Sequence, residues 1–121
     1  MAMRGRSAIR ANKYGNRKTK AGGVMFDSWA EAKFYLKLLD EERKGIVKEI
    51  ELQPRFELQP KFEKNGVKHR AITYLADFKV TYANGKVRII DVKGKRTEVF
   101  NIKHKMFEYK YPELELIIVK V

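Results

Sequence analysis

An Asn84-Gly85 dipeptide separates two strand-like segments of this chain, and each of the two segments carries an aspartate. The first segment, Val67 to Tyr82, includes Asp77, and the second, Lys86 to Lys93, includes Asp91. Asn-Gly is typical of tight hairpin turns, because both residues tolerate a positive φ. The sequence therefore predicts an antiparallel hairpin, with one long strand or two short strands before the turn.

The second segment ends in Asp91-Val92-Lys93-Gly94. Residues i and i+2 of a strand share a face, so Asp91 and Lys93 project together while Val92 packs behind them. Acid-x-lysine spacing occurs elsewhere in this lysine-rich chain, but only this copy ends an apolar strand and precedes a glycine and a helix start. Phosphodiester hydrolysis needs a cation that screens the phosphate, an activated water and stabilisation of the leaving oxygen. Carboxylates suit Mg²⁺, and a lysine can orient the water or stabilise the developing charge.

The loop of the predicted hairpin decides whether its two aspartates can share a cation. A two-residue turn would place Asp77 opposite Val92, and Asp77 would then point away from Asp91. A three-residue loop with Gly85 in the left-handed conformation and a G1 bulge, or a bulge elsewhere in the strands, would place Asp77 opposite Asp91. We therefore predict a bulge or the three-residue loop Ala83-Asn84-Gly85, with the two carboxylates close together and Lys93 beside them.

The composition limits the fold and the kinds of metal site. A chain of 121 residues, 44% of them hydrophobic, has room for one domain with one core. No apolar run approaches the ~18 residues of a membrane span, so we expect no membrane contact through a span and no secretory signal. The absence of cysteine fits a reducing cytoplasm, which is the expected location. With two histidines and no cysteine, a metal would be held mainly by carboxylates, which favours Mg²⁺, Mn²⁺ or Ca²⁺.

The N-terminal residues are strongly basic. They hold +7 of the net charge of +12 and contain no acid before residue 21. Few of them are apolar, so we interpret residues 1–22 as a flexible basic arm and residues 23–121 as the folded domain. Such an arm favours nucleic-acid phosphates, and a solubilising tail, an anionic-membrane contact and a mitochondrial-type presequence are the alternatives. Its candidate phosphate-binding residues are Arg4, Arg6, Arg10, Lys13, Arg17, Lys18 and Lys20.

Two helices are predicted from their caps. Ser28 is an N-cap with Glu31 three residues later, and Gly45 ends the first helix. Thr97 caps a second helix, which runs through Tyr111 and stops at Pro112. The apolar stripe of the first helix is Trp29, Ala32, Leu36 and Leu39. That of the second is Val99, Ile102, Met106 and Tyr109, with Phe100 and Phe107 beside it. Trp29 and the phenylalanines are interpreted as core residues.

The segment from Ile46 to Glu63 contains a doubled hexapeptide, Leu-Gln-Pro-x-Phe-Glu. Its prolines predict an edge strand or a bulged strand, and the even repeat predicts Phe56 and Phe62 on one face. The apolar run from Leu114 to Val121 predicts a buried strand. A right-handed crossover through the second helix would make that strand parallel to the Asp91 strand.

Several of these segments together resemble the restriction-endonuclease-like PD-(D/E)xK nucleases. The order of a helix with an acid, a strand with Asp77, a strand with Asp91-Val92-Lys93, a helix and a last strand is that of this superfamily. The chain is similar to one small branch of it, a domain-of-unknown-function family found in phages and prophages. The segments that carry this resemblance are Lys13-Tyr14-Gly15, Phe26-Asp27-Ser28 with Glu31-Ala32, the doubled Leu-Gln-Pro-x-Phe, Tyr74-Leu75-Ala76-Asp77-Phe78, Asp91-Val92-Lys93-Gly94 and Phe107-Glu108-Tyr109-Lys110-Tyr111-Pro112.

The resemblance implies an α+β (α/β) fold with an αβββαβ restriction-endonuclease-like core, a mixed sheet flanked by helices, and divalent-metal nuclease activity. Ala76 stands where the name of the motif has proline. The catalytic residues implied are Asp77, Asp91, Lys93 and Glu31. The metal ligands implied are Asp77, Asp91, Glu31 and Val92.

The resulting hypothesis is a Mg²⁺-dependent DNA endonuclease, with Mn²⁺ able to substitute. The basic arm, Lys95 and Arg96 would hold the DNA backbone, the last two beside a helix N-terminus that can bind phosphate. No segment indicates base reading, so structure-selective cutting of branched or Holliday-junction DNA is favoured, and symmetric cutting of a junction would need a homodimer. Two alternatives stay open: a non-catalytic nucleic-acid-binding module, and a nuclease subunit of a larger phage or transposition complex.

Overall fold

The computed structural model describes residues 18–121, which form a mixed α+β structure with two helices and a mixed sheet. The described residues divide into two compact units, of which the first ends at Val47 and the second is Lys48–Val121. The elements in chain order are β1 (Thr19–Ala21), β2 (Val24–Phe26), α1 (Trp29–Arg43), β3 (Val47–Leu52), β4 (Arg55–Gln59), β5 (Phe62–Lys64), β6 (Val67–His69), β7 (Ile72–Leu75), β8 (Phe78–Tyr82), β9 (Val87–Lys93), α2 (Glu98–Lys110) and β10 (Glu115–Lys120).

The first unit begins earlier than the sequence predicted. Thr19–Ala21, assigned above to the basic arm, form β1 and pair antiparallel with β2. Gly22 and Gly23 connect the two strands with φ of 54° and 81°, a conformation that glycine adopts without steric cost. A Cβ at Gly22 would lie 2.7 Å from Leu39 of α1, so the hairpin packs closely on the helix. Residues 19–22 of the predicted arm are thus part of a hairpin, and residues 1–17 lie outside the described part of the chain.

The caps of α1 agree with the sequence, but its predicted apolar stripe does not. Ser28 Oγ accepts a hydrogen bond from the Glu31 N–H at 3.1 Å, and Gly45 follows the helix with φ 82°. Ala32 and Leu38 are the buried residues of α1. Trp29 is 59% exposed, so its interpretation as a core residue is wrong. No helix in residues 18–121 is long and apolar enough to cross a membrane.

The second unit is built on a four-stranded sheet with the order β10-β9-β8-β3. Strands β8 and β9 are antiparallel, and β10 runs parallel to β9 with Ile117 beside Ile90. The predicted parallel return strand is thus confirmed. Strand β4 pairs with β7 and has a register shift between Glu57 and Gln59, which confirms the prediction of an edge or bulged strand there.

Helix α2 covers one face of the second unit with aromatic side chains. Thr97 Oγ1 caps it by accepting the Phe100 N–H at 3.1 Å. Phe107 is fully buried and packs edge-on against Phe56 at 5.0 Å between ring centroids. Truncating a buried phenylalanine to alanine typically costs about 3–5 kcal/mol. The core cluster consists of Leu58, Tyr74, Ala76, Ile89, Phe100 and Phe107.

Two packing predictions for the second unit are wrong. The buried face of α2 is that of Phe100 and Phe107, whereas Val99 and Ile102 from the predicted stripe are 63% and 60% exposed. Both sets have helical spacing, and the larger aromatic pair is the one that packs on the core. The two repeat phenylalanines also differ, because Phe56 packs against the core whereas Phe62 is 44% exposed. The bulge in β4 lies between them and breaks the even spacing.

Candidate active site

Tyr82 and Lys86 close the β8–β9 hairpin around a loop of three residues, Ala83-Asn84-Gly85, as predicted. The Tyr82 N–H donates to the Lys86 carbonyl at 2.8 Å, and the Gly85 N–H donates back to the Tyr82 carbonyl at 2.9 Å. Gly85 has φ 92°, the positive value that closes such a loop. The hairpin therefore has the loop length that the shared face of the two aspartates requires.

This loop sets the register that brings the two aspartates together. Phe78 and Ile90 form the last pair of the β8–β9 ladder, and Asp77 and Asp91 are their immediate neighbours in the chain. Their carboxyl groups lie within hydrogen-bonding reach, and the negative charge of Asp77 contributes to the raised pKa of Asp91. The predicted proximity of the two carboxylates is thus confirmed.

Asp77 occupies the bend between β7 and β8, and backbone groups fix its position. Its Oδ2 accepts the Val92 N–H at 2.7 Å. Its own N–H donates to the Ile90 carbonyl at 3.1 Å, and its carbonyl accepts the Gln53 N–H at 2.9 Å. Val92, named from the resemblance as a metal ligand, is seen here orienting a carboxylate through its amide. These backbone contacts hold the Asp77 carboxylate toward β9.

Asp91 is the one buried charged side chain among residues 18–121, with 2% exposure. The Tyr74 hydroxyl donates a hydrogen bond to its Oδ2, and Lys93 Nζ lies 3.6 Å from its Oδ1. Burial raises the pKa of Asp91 to about 6, and the charge of Asp77 adds to this rise. The Tyr74 hydrogen bond and the Lys93 charge oppose it. Burial, followed by the nearby Asp91 carboxylate, also raises the pKa of Tyr74, so the phenol stays a donor.

Lys93 reaches across the surface of the site from the end of β9. Its side chain is 30% exposed, and its Nζ lies 4.6 Å from the centroid of the Phe100 ring. Arg96 lies over the same ring at 5.3 Å and donates through Nε to Asn101 Oδ1 at 3.1 Å. The Lys93 ammonium is therefore held between a carboxylate and an aromatic face, with part of its side chain open to solvent.

The other residues predicted for the site are distributed along the chain. Glu31 belongs to the first unit, where its N–H contacts the Ser28 side chain, and its metal-binding role stays a prediction. Lys18 pairs with Asp27 at 2.8 Å, and Lys20 is exposed on β1. Lys95 and Arg96 are exposed just before α2. Arg4, Arg6, Arg10, Lys13 and Arg17 lie outside the described residues.

Tyr74 is the site residue that the sequence did not assign. Its ring packs in the core against Phe107 at 5.6 Å, while its hydroxyl reaches the buried Asp91 carboxylate. A tyrosine three residues before an aspartate in a strand-like segment carries no spacing signal, because its contact is with a different aspartate, Asp91, 17 residues away. Within residues 18–121, no group of three or more histidine, aspartate or glutamate side chains is arranged to hold a metal ion. The structure brings two acids together at this site, Asp77 and Asp91.

A family model described as "Protein of unknown function (DUF1064)" matches residues 11–121. The chain belongs to the DUF1064 family. This confirms that part of the resemblance which pointed to a family of unknown function. No curated protein and no solved structure matches the DUF1064 chain.

The geometry of the DUF1064 site suits the handling of cations and anions. Two carboxylates facing each other repel unless a proton or a cation lies between them. Burial makes that repulsion more costly, as the raised pKa of Asp91 reflects. The ammonium of Lys93 stands beside the pair and can approach a bound anion. The chemically distinctive feature of the second unit is therefore the pair of acids Asp77 and Asp91, with Lys93 next to Asp91 on β9.

Proposed function

We propose that the DUF1064 chain is a divalent-metal-dependent DNA endonuclease that hydrolyses phosphodiester bonds, with Mg²⁺ as its metal and Mn²⁺ as a substitute. The observation that carries this proposal is the hairpin register, which brings Asp77 and Asp91 together just beyond the Phe78–Ile90 pair, with Lys93 Nζ 3.6 Å from the Asp91 carboxylate. The order of α1, β3, β8, β9, α2 and β10 supports the finer proposal of a restriction-endonuclease-like αβββαβ core.

The residues of the site fit a hard divalent cation. Asp77 and Asp91 supply oxygen donors alone, which Mg²⁺ and Mn²⁺ accept. A cation between them would relieve both the mutual repulsion and the burial of the Asp91 charge that raise the Asp91 pKa. Mg²⁺ keeps several waters when two carboxylates hold it, and when bound it would supply an activated water and screen the scissile phosphate.

Each side chain of the site has a part in the proposed reaction. Tyr74 holds Asp91 Oδ2 through its hydroxyl, which leaves Oδ1 on the side of Lys93. The Val92 amide holds Asp77 Oδ2 and so keeps the second carboxylate aimed at the first. The Lys93 ammonium would orient the attacking water or stabilise the negative charge that builds on the phosphate. Glu31 is proposed as a further metal ligand, by resemblance.

The charge of the chain supports DNA as the substrate. A net charge of +12 favours a polyanion, and Lys95 and Arg96 are exposed at the start of α2, next to the site strand. We propose structure-selective cutting of branched or Holliday-junction DNA in the cytoplasm, with a homodimer where both strands of a junction are cut. A role as the nuclease subunit of a larger phage or transposition complex would use the same site.

A second candidate function rests on the contacts of Asp91. Tyr74 and Lys93 already give this carboxylate a hydrogen bond and an ion pair, as a purely structural acid would have. In that case the DUF1064 chain would be a nucleic-acid-binding module without catalysis. The raised pKa of Asp91 favours the first function, because a structural ion pair is usually arranged to lower the pKa of its acid.

One panel of reactions separates the two functions. Labelled duplex, single-stranded and four-way-junction DNA are incubated with the full chain in Mg²⁺, in Mn²⁺ and in EDTA, with Lys93→Ala as the matched control. The nuclease proposal expects cleavage in either metal, none in EDTA and little in the variant. Binding of all three DNAs without cleavage in any condition would establish the non-catalytic module instead.

A further inference from the structure

The doubled hexapeptide and the strands that follow it form two successive two-stranded sheets, which together we call the ribbon. Strand β4 pairs with β7, and β5 pairs with β6, both antiparallel. The two pairings share one register, since Gln59 faces Ile72 and, three residues further on, Phe62 faces His69. From Arg55 to the Asn65-Gly66 turn the ribbon is about 30 Å long, at roughly 3.3 Å per residue.

The two halves of this ribbon have opposite surroundings. The proximal half, β4 with β7, buries Leu58 and Tyr74 in the core. In the distal half, which we name the distal hairpin (residues 61–70), every residue is exposed. Solvent on both sides leaves an isolated pair of short strands only marginally stable. The exposed distal hairpin is therefore a candidate surface for binding a partner.

The distal hairpin carries positive charge on both of its strands. Lys61 and Lys64 lie on the arm before the turn, Lys68 and Arg70 on the arm after it, against a single acid, Glu63. Within residues 18–121, none of the four cations forms an ion pair with a carboxylate. Their charges are therefore available to an external anion.

An aromatic stack stiffens the same hairpin. The rings of Phe62 and His69 face each other across the two strands, with centroids 4.5 Å apart and planes inclined by 11°. Phe62 remains 44% exposed, and Val67 near the tip is 54% exposed. Asn65 and Gly66 close the tip with φ of 52° and 77°, so the turn contains two residues. The result is a two-stranded hairpin with cations on both arms and an apolar strip of Phe62, His69 and Val67 on one face.

We propose that the distal hairpin is a DNA-docking element that enters a groove of duplex DNA, with its four cations on the phosphates of both groove walls. The major groove admits a two-stranded antiparallel ribbon, and its two walls are rows of phosphates, which match a hairpin that carries two cations on each arm. This inference rests on the proposed function for the identity of its partner. It assigns DNA contact to residues that the sequence did not name, and it requires no base-specific contact.

The test compares two variants of the full chain with equal changes in charge. The hairpin variant replaces all four cations of the distal hairpin: Lys61→Gln, Lys64→Gln, Lys68→Gln and Arg70→Gln. The control variant replaces four exposed lysines elsewhere: Lys33→Gln, Lys37→Gln, Lys48→Gln and Lys86→Gln. Binding to a labelled duplex of about 30 base pairs is measured by fluorescence anisotropy in EDTA, from about 50 to about 200 mM salt.

The hairpin variant is expected to lower the slope of log affinity against log salt by about 3 to 4 units, because each phosphate contact contributes about 0.9. The control variant is expected to lower it by less than about 1 unit. Single changes at Lys64 and Lys68 are expected to remove about 1 unit each, which keeps the test valid if the fourfold variant folds poorly. Equal loss in the two fourfold variants, or tighter binding of the wild type to polyglutamate than to duplex, would overturn the proposal.

The readouts keep this inference separate from the nuclease proposal. Nicking of plasmid DNA in Mg²⁺ reports on the active site, whereas the salt slope in EDTA reports on docking. If the wild type nicks DNA and the hairpin variant has an unchanged salt slope, the docking proposal is rejected and the nuclease proposal stands. If the hairpin variant has a lowered salt slope but the wild type does not nick DNA, the docking proposal stands and the nuclease proposal is rejected.

Discussion

The second unit contains two hairpins that turn at the same dipeptide, Asn-Gly, and they differ by one loop residue. In the distal hairpin, Lys64 pairs with Val67, so Asn65 and Gly66 form a two-residue turn, both with positive φ. In the β8–β9 hairpin, Ala83 joins the loop, and Gly85 alone is left-handed. The dipeptide therefore predicts where a chain turns but not the register of its strands.

The surroundings of the two hairpins explain why the length of the loop matters in only one of them. Phe78, Val80, Ile89 and Ile90 bury both faces of the β8–β9 hairpin, so each face has its own required set of residues. A slip by one position would exchange the faces and separate Asp77 from Asp91. The distal hairpin is exposed on both faces, so burial does not constrain its register. In the buried hairpin, loop length is thus coupled to the chemistry of the site.

The largest expected effect is loss of cleavage on removal of the site lysine. Lys93→Ala should lower the rate of Mg²⁺-dependent cleavage by at least about 10²- to 10³-fold, because the ammonium acts on charge that develops in the transition state. Affinity for DNA should stay within about tenfold, since ground-state binding uses other cations. Single-turnover kinetics measure the first quantity and anisotropy the second. Lys86→Ala, at the loop of the same hairpin, is the control, and an equal loss in both variants would contradict the role of Lys93.

A deletion tests the comparison of the two hairpins directly. Removing Ala83 would leave a two-residue Asn84-Gly85 turn like that of the distal hairpin. The register would then place Asp77 opposite Val92, and cleavage should fall by about 10²-fold or more. Insertion of one alanine before Asn65 is the control, because that hairpin is exposed on both faces. Circular dichroism checks that both variants fold. Cleavage at the wild-type rate by a folded deletion variant would show that the activity does not depend on the register of the hairpin.

Asp91 in the β8–β9 hairpin is buried and Glu63 in the distal hairpin is exposed, so their substitution should affect the free energy of unfolding differently. The pKa of Asp91 is raised to about 6 from an ordinary 3.8, so folding favours its protonated form. The stability that this proton contributes is fully present below pH ~4 and is lost as the pH rises through about 6. Asp91→Asn should therefore raise the free energy of unfolding by about 2 kcal/mol at pH 7 and by little at pH 4.

Glu63→Gln in the distal hairpin is the matched control for that measurement. Glu63 is exposed, so its substitution should change the free energy of unfolding by less than about 0.5 kcal/mol at either pH. Urea denaturation at the two pH values gives both numbers. A destabilised Asp91→Asn at pH 7 would show that the carboxylate is a structural partner of Lys93 and Tyr74, as in the non-catalytic reading.

The smallest expected effect on cleavage concerns Tyr74, which joins the ribbon to the site. Tyr74→Phe keeps the ring in the core but removes the hydrogen bond that lowers the pKa of Asp91. Cleavage at pH 7 should fall by about tenfold or less, and the pH at which the rate is half-maximal should move upward. A pH–rate profile of the variant and the wild type measures the shift. A uniform fall in rate with an unchanged midpoint would assign Tyr74 to packing alone.

The features predictable from the sequence are those with local causes. Ser28 and Thr97 begin helices because their hydroxyls accept backbone N–H groups of the first turn, which depends on neighbouring residues alone. The parallel placement of β10 follows from a handedness rule for crossover connections. The prediction of a bulge or a three-residue loop followed from the alternation of side chains along a strand, combined with the chemistry that the site requires.

The features that could not be predicted depend on contacts between distant segments. Phe56 and Phe62 occupy equivalent positions in two copies of one hexapeptide, but α2 packs only over the first. The core side of α2 was ambiguous for the same reason, since Val99 and Phe100 begin two apolar stripes of equal spacing. The contact of Tyr74 with Asp91 spans 17 residues and has no sequence signature.

The most direct measurement of the central claim is the rate of Mg²⁺-dependent nicking of supercoiled plasmid by the wild type and by Asp77→Asn, at equal DNA occupancy. We expect nicking by the wild type that stops in EDTA, and a rate for Asp77→Asn lower by at least about 10²-fold, because the two opposed carboxylates hold the cation together. Nicking by Asp77→Asn at the wild-type rate, or no nicking by the wild type in Mg²⁺ or Mn²⁺, would contradict the claim.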